Sequence, residues 1–338
     1  MGKKTDKSPQ QSAAFRLGID MGGTKILAAV VDDAGKILAE AKQRTMPALG
    51  PDGVIQRIVM TAQEAVAAAG LDMADVAAMG IGAPGPVNAE TGVVHEAPNL
   101  QDWQDVPLAA QVRQALGRPV FVDNDVNIGT LGEYELGAGQ GAQHMIGVFV
   151  GTGVGGGLIV DGRLHRGFRH AAGEIGHMVL VPGGPLCGCG RRGCLEAVAS
   201  RTAIEREVRA GIEQGRGHEV RQLLSRAKRG RLTSGVIADA LKAGDELMVE
   251  VIAQTQYYLG LLSANIVNFF DPEMIVFGGG VVEALGDSYL APIRETARSH
   301  FLQQRDADRV QIVPAVLGDY AGVLGAAILA GQLLAGQE

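Results

Sequence analysis

The sequence predicts a two-lobed α/β protein, and three observations carry that prediction. First, 338 residues with 46% apolar content and a net charge of -7 are enough chain for two packed lobes of ordinary domain size. Second, one pattern occurs twice: Leu17-Gly18-Ile19-Asp20-Met21-Gly22 lies over Ile146-Gly147-Val148-Phe149-Val150-Gly151, each a strand entering a glycine turn and then a second strand. Third, apolar helices alternate with short apolar strands through the rest of the chain. The 49 glycines, twice the usual ~7%, have no three-residue period, which excludes a collagen-like chain and leaves backbone geometry as their purpose.

Taken in order, residues 1–14 are charged, then polar, and read as a disordered tail without a signal-peptide core. Residues 16–20 read as a strand, Met21-Gly22-Gly23-Thr24-Lys25 as a tight turn and 26–31 as the returning strand. Past a turn at Asp32-Asp33-Ala34-Gly35, residues 36–41 continue the meander. An Ala-rich helix at 54–70 precedes a strand at 76–81, and a helix at Leu108–Leu116 precedes a strand at 119–122. In the second copy the turn covers 151–157, the strand 158–160, and Asp161-Gly162 turns the chain again. Residues 202–243 read as polar, irregular helix, and Glu246–Phe270 as a long apolar helix stopped by Asp271-Pro272. A buried strand at 274–277 runs into Gly278-Gly279-Gly280 and a helix from Val281, an order that suits the sugar or base edge of a nucleotide. A small-residue helix at 321–334 closes the chain, its apolar run too short to cross a bilayer. The expected lobes are 15–124 with about 320–338, and 125–319.

Composition removes several function classes. Aromatic residues are only 4% and the negative charge shows no basic stripe, so nucleic acid is an unsuitable partner. The three cysteines fall between Cys187 and Cys194, too few and too close for a secreted disulfide framework, and a reducing cytoplasm fits them.

The two glycine turns each carry a Thr, Thr24 in the first and Thr152 in the second. Any hairpin needs residues that tolerate positive φ. Two matching turns of bare backbone and short hydroxyl are better explained by phosphate, with both turns donating N–H groups to one anion. No G-x-x-x-x-G-K-[ST] loop and no strand-to-helix dinucleotide fingerprint occurs, which disfavours a dehydrogenase.

His177, Cys187, Cys189 and Cys194 follow an H-x9-C-x-C-x4-C spacing with glycines interleaved. Three thiolates and an imidazole are a tetrahedral Zn²⁺ donor set, and four protein ligands make the site structural rather than catalytic. Glu174 and Glu196 flank this loop and read as a polyol-binding wall, since carboxylates bond vicinal hydroxyls strongly. Asp123-Asn124-Asp125-Val126-Asn127 stands at a strand end where one lobe passes to the next, the position at which α/β proteins gather ligands.

Together these residues resemble the ROK family, the repressors and sugar kinases of the actin-like (ribonuclease H-like) ATPase fold, and most closely its glucokinase branch. The resemblance covers about residues 16–332. It rests on Asp20-x-Gly22-Gly23-Thr24-Lys25, Gly82-Ala83-Pro84-Gly85-Pro86, Asn124-Asp125-x-Asn127, Gly151-Thr152-Gly153-x-Gly155-Gly156-Gly157, and Gly173-Glu174-x-Gly176-His177 with Cys187-x-Cys189-Gly190-x-x-Gly193-Cys194-x-Glu196. Val126 stands where Ala is common and Asp123 where Glu is frequent. The resemblance implies phosphoryl transfer from ATP with Mg²⁺ to a hexose, typically glucose at O6. It assigns Asp125 as base, and Gly85, Asn124, Asp125, Glu174, His177 and Glu196 as sugar contacts. Asp20, Gly22, Gly23, Thr24, Lys25, Gly151, Thr152, Gly153, Gly155, Gly156, Gly278 and Gly279 then serve nucleotide and Mg²⁺. Asn99 is grouped with the sugar loop.

The resemblance also implies a homodimer or homotetramer. N-acetylglucosamine, N-acetylmannosamine, mannose and fructose are alternative substrates. The rival class, a sugar-sensing regulator, is expected to need a DNA-binding region longer than the roughly 15 residues before the first strand. A non-catalytic sugar-binding module is argued against by Asp20 and Asp125 together.

Overall fold

The computed structural model describes residues 15–97, 100–227 and 230–336. Two compact units emerge: one ends at Ile128 and resumes at Gly322, and the other runs Gly129–Ala321. In the first unit, β1 (Phe15–Met21), β2 (Lys25–Val31) and β3 (Ile37–Arg44) form the antiparallel meander. β3 is an edge strand with one face to solvent, where Leu38, Glu40, Lys42 and Arg44 alternate with half-buried residues. Its charges discourage pairing with another chain. Helix α1 (Gly50–Ala68) packs Val54, Ile58, Ala62 and Ala65 into the core at helical spacing and leads through a short turn to β4 (Val76–Ala83).

A small sheet of β5 (Val87–Asn88), β6 (Val93–Glu96) and β7 (Gln104–Val106) follows, too short to show a period in the sequence. Then come α2 (Leu108–Leu116), β8 (Val120–Asn124) and α3 (Asp125–Leu136), the last carrying the chain from the first unit to the second. The main sheet has the order β3-β2-β1-β4-β8, with β4 and β8 parallel to β1.

The second unit repeats this plan. β9 (Met145–Val150), β10 (Val154–Val160) and β11 (Arg163–His165) form a second meander. Four helices of the next stretch are α4 (Glu196–Ala199), α5 (Arg201–Glu213), α6 (His218–Arg226) and α7 (Ser234–Lys242). Helix α8 (Glu246–Phe270) ends where Asp271 turns left-handed at φ 51 before Pro272. β12 (Met274–Gly278), α9 (Gly280–Leu285), α10 (Asp287–Ser299) and β13 (Gln311–Pro314) complete a sheet of order β11-β10-β9-β12-β13. Both five-stranded sheets have the same connectivity, so the duplication legible in the sequence is a duplication of topology.

Helix α11 (Ala321–Ala335) returns to the first unit. With the preceding turn it is long and apolar enough to cross a membrane by length and composition alone. Its composition has a packing cause: a Cβ on Gly18 would lie 1.8 Å from the Val323 carbonyl oxygen, and one on Gly80 1.9 Å from that of Ala326. The helix rests on sheet backbone, and Val323, Ala326, Ala327 and Ala330 are fully buried there.

The second glycine turn is shorter than predicted. The chain turns at Gly151–Gly153 and β10 already starts at Val154, so Gly155, Gly156 and Gly157 are strand residues paired with β9. Gly156 is small because Ile175 crosses its face, 2.6 Å from where a Cβ would stand. Lys25 likewise begins β2 rather than lying in the first turn.

Candidate active site and metal centre

In the first unit, Asp20 pairs in register with Gly82, and Gly82 with Asp123, so the carboxyl ends of β1, β4 and β8 gather the predicted acids at one sheet edge. Asn124 caps α3: its Oδ1 accepts the N–H of Val126 at 2.9 Å and of Asn127 at 3.2 Å. Its Nδ2 donates to the Gly85 carbonyl at 3.1 Å, which leaves one amide hydrogen for a ligand. Beneath it the buried Asp123 carboxylate accepts the Asn124 N–H at 2.7 Å and the Asn127 amide at 3.0 Å. Asp125 is thereby fixed as the first residue of α3, with Oδ1 accepting the Val126 N–H at 2.9 Å.

The first glycine turn is closed by Gly22 N–H to the Lys25 carbonyl at 2.9 Å. Thr45, fully buried, was not singled out in the sequence, yet it braces this turn. Its hydroxyl donates to the Gly22 carbonyl at 2.6 Å and its N–H to the Thr24 carbonyl at 3.0 Å.

In the second unit the turn Gly151-Thr152-Gly153 is knitted to the start of α5. Arg201 donates its N–H to the Gly151 carbonyl at 2.9 Å and its guanidinium to Thr152 Oγ1 at 2.7 Å. Thr202 donates its hydroxyl to the Thr152 carbonyl at 2.7 Å. Gly278 and Gly279 close β12 against β9. A Cβ on Gly278 would stand 2.7 Å from the Phe149 ring, and Gly279 has φ +91 with the Val150 carbonyl oxygen 2.5 Å from its Cβ position. Packing by itself requires glycine at both.

The metal loop assembles as the spacing predicts. The ligand atoms of His177, Cys187, Cys189 and Cys194 all lie within 4.8 Å of one another. His177 Nδ1 is 3.7 Å from Cys187 Sγ, and Cys189 Sγ is 3.7 Å from Cys194 Sγ. Tetrahedral Zn²⁺, with Zn–S about 2.3 Å and Zn–N about 2.0 Å, separates its ligand atoms by roughly 3.5–3.8 Å, so the cluster fits structural zinc. Burial pushes the Cys187 thiol up to about 12 and raises Cys194 as well, whereas the Arg191 N–H lowers Cys189. Buried thiols of that kind give up their protons to a cation that meets them.

Both predicted carboxylates border this cluster, on different ligands. Glu174 Oε2 is 3.9 Å from His177 Nε2, the nitrogen turned away from the thiols. Glu196 Oε1 is 3.5 Å from Cys187 Sγ, while its Oε2 accepts the Val154 N–H at 3.1 Å. Asn99 lies outside the described residues, as do residues 1–14.

A duplicated five-stranded sheet with a glycine turn after the first strand of each copy, joined to a metal centre of one histidine and three cysteines, defines a zinc-loop member of the actin-like ATPase fold class. The chain belongs to the ROK family, whose model matches residues 16–333. It is 38% identical over 323 residues to a glucokinase of Halalkalibacterium halodurans, covering 95% of this chain and 96% of that one. It also resembles the crystal structure of a ROK family glucokinase from Streptomyces griseus in complex with glucose and AMPPNP. The TM-score is 0.81 and the identity 38%, over 94% of this chain and 100% of the other. A xylose repressor of Caldicellulosiruptor bescii is 31% identical over 310 residues, 91% of this chain and 76% of the repressor.

Proposed function

We propose that this protein is an ATP-dependent hexose kinase that phosphorylates glucose at its 6-hydroxyl. The observation that carries the reading is Asp125, a carboxylate held at the start of α3 by the Asn124 cap, on the strand edge that also bears Asp20. The glucokinase relatives, matched over nearly their whole length, support it. In this reading Asp125 accepts the proton of the attacking hydroxyl as the oxygen–phosphorus bond forms, and ADP leaves. The remaining amide hydrogen of Asn124, the Gly85 loop, and Glu174, His177 and Glu196 orient the ring hydroxyls. The turns 22–24 and 151–153 hold phosphate oxygens through backbone N–H groups, and Gly278 with Gly279 borders the nucleoside. Mg²⁺, bound with the nucleotide, supplies neutralisation of phosphate charge, and Asp20 is the hard oxygen donor suited to it. Zinc keeps the loop that carries His177 and Glu196 in shape. Three thiols committed to metal accord with a cytoplasmic protein, and the partners are a sugar and a nucleotide.

The xylose repressor relative favours a second reading, sugar sensing without turnover. ADP release from the protein with ATP and glucose, followed by a coupled assay, decides between them. Glucose binding without ADP release would overturn the kinase reading.

A further inference from the structure

We propose that Arg201 is a phosphate ligand of the Gly151–Gly153 turn, binding the nucleotide's phosphates together with Thr152; this rests on the kinase reading above. A guanidinium can only donate, so in the 2.7 Å contact between Arg201 Nη2 and Thr152 Oγ1 the hydroxyl oxygen is the acceptor. The hydroxyl hydrogen is then turned to a different partner, and among the described residues none accepts it.

The carbonyls of the turn are all occupied. That of Gly151 accepts from Arg201 N–H at 2.9 Å and that of Gly153 from Gly151 N–H at 2.9 Å. The Thr152 carbonyl accepts from the Thr202 hydroxyl at 2.7 Å. Among the described residues nothing accepts the N–H of Thr152 or Gly153. With its acceptors consumed, the turn offers donors only, and the space beside Gly151 is open, with no atom within 4 Å of its Cβ position. A surface of that polarity takes an anion.

The charge of Arg201 points the same way. Further along α5, Arg206 pairs with Glu207 at 2.7 Å and Arg209 with Glu205 at 2.5 Å. Arg201 has no carboxylate partner among the described residues; its side chain bonds Thr152 alone. A guanidinium with four donors to spare, tethered to a turn that presents N–H and O–H groups, matches the geometry of phosphate oxygens. A plain brace for the turn would need the bond to Thr152 but not the uncompensated charge.

The two roles separate by the number of phosphates on the ligand. Arg201→Gln and Arg201→Lys in the full chain are titrated calorimetrically with Mg²⁺ and inorganic triphosphate, with ADP and with adenosine. The Gln variant should weaken triphosphate and ADP by about tenfold or more, since charged hydrogen bonds are lost, and leave adenosine within about twofold. The Lys variant, which keeps the charge but loses the fork, should recover part of the loss and serves alone if the Gln variant does not fold. Thr152→Val should reproduce the phosphate-selective loss. In turnover, KM for ATP should rise while KM for glucose holds. Equal triphosphate affinity in wild type and the variants, or an equal loss for adenosine, would overturn the proposal. If wild type binds triphosphate but does not phosphorylate glucose, the kinase reading fails while the binding arm still decides the role of Arg201.

Discussion

The carboxylate of Glu196 accepts the backbone N–H of Val154 at 3.1 Å, joining the metal loop to the residue that follows the second glycine turn. Its other oxygen lies 3.5 Å from the metal-ligating Cys187. The same side chain that the sequence assigns to sugar binding is therefore a strut between the zinc cluster and the start of β10. Gly153 makes this possible, because a Cβ there would stand 2.3 Å from Glu196 Oε2.

Gly153→Ala and Glu196→Ala should thus do the same damage, one by pushing the carboxylate off Val154 and the other by removing it. Each is expected to lower kcat/KM, and the double variant to fall no further than the worse single one. A coupling of about 0.5–3 kcal/mol in the cycle is the expected size for residues in contact. Additive losses would mean that Gly153 matters for a reason other than Glu196.

Metal analysis should find one Zn²⁺ per chain. Cys189→Ala is the informative variant, since Cys189 is exposed and Cys187 and Cys194 are buried, so its truncation leaves no core cavity. It should lower the melting temperature and sugar affinity together, because the loop carries Glu174, His177 and Glu196. Structural zinc contributes about 10 kcal/mol or more in small domains, and the packed second unit should retain part of its fold without it. A metal-free preparation with unchanged sugar affinity would refute the coupling.

What the sequence made legible was local. The helix Glu246–Phe270 and the strand–turn–strand repeat show their periods within one window, and the ligands of the metal loop lie within 18 residues of one another, 177–194. What it hid was bonding between distant residues. No local pattern singles out Glu133, yet it is fully buried and accepts the N–H of Leu317 at 2.8 Å. Arg201 sits 49 positions from Thr152, and Thr45 23 positions from Gly22. Strands of two to four residues, such as β5, β6 and β7, are too short for alternation to register.

Glu273 should give the fold an acid-sensitive contact. Its carboxylate accepts the N–H of His144 at 3.0 Å and also that of Gln143, and these bonds hold it below its ordinary value of 4.5. A group lowered in the folded state contributes stability that is complete above its unfolded value and fades as pH falls through the lower folded one. The melting-temperature gap between wild type and Glu273→Gln should be constant above about pH 5 and close on further acidification. A gap that persists unchanged into strong acid would show that the charge of Glu273 is irrelevant to stability.

Asp125→Asn should nearly abolish turnover while leaving the fold and much of the sugar affinity intact. The amide keeps an oxygen for the Val126 N–H but cannot take the hydroxyl proton. Loss of a general base costs about 10²–10⁴-fold in kcat, measured under saturating ATP and glucose. Wild-type kcat in the variant would mean that another group accepts the proton.

Among sugars, glucose should show the highest kcat/KM, with phosphate delivered to its 6-hydroxyl. Asn124 caps α3 through its Oδ1 and donates one amide hydrogen to Gly85, so in the proposed reading the other is its one directed donor to the sugar. In the proposed reading Glu174 and Glu196 accept from ring hydroxyls, and His177 has its Nε2 turned away from the thiols toward Glu174. A group that hydrogen-bonds a ring hydroxyl rejects a ring lacking that hydroxyl far better than an apolar pocket rejects a missing methylene. An analogue that lacks only the reacting hydroxyl keeps the ring contacts and loses the nucleophile. 6-Deoxyglucose should therefore compete with glucose and yield no phosphorylated product, scored by inhibition kinetics and phosphorus NMR. A panel in which N-acetylglucosamine, N-acetylmannosamine, mannose or fructose exceeds glucose tenfold in kcat/KM would leave a hexose kinase in place and remove glucose as its substrate.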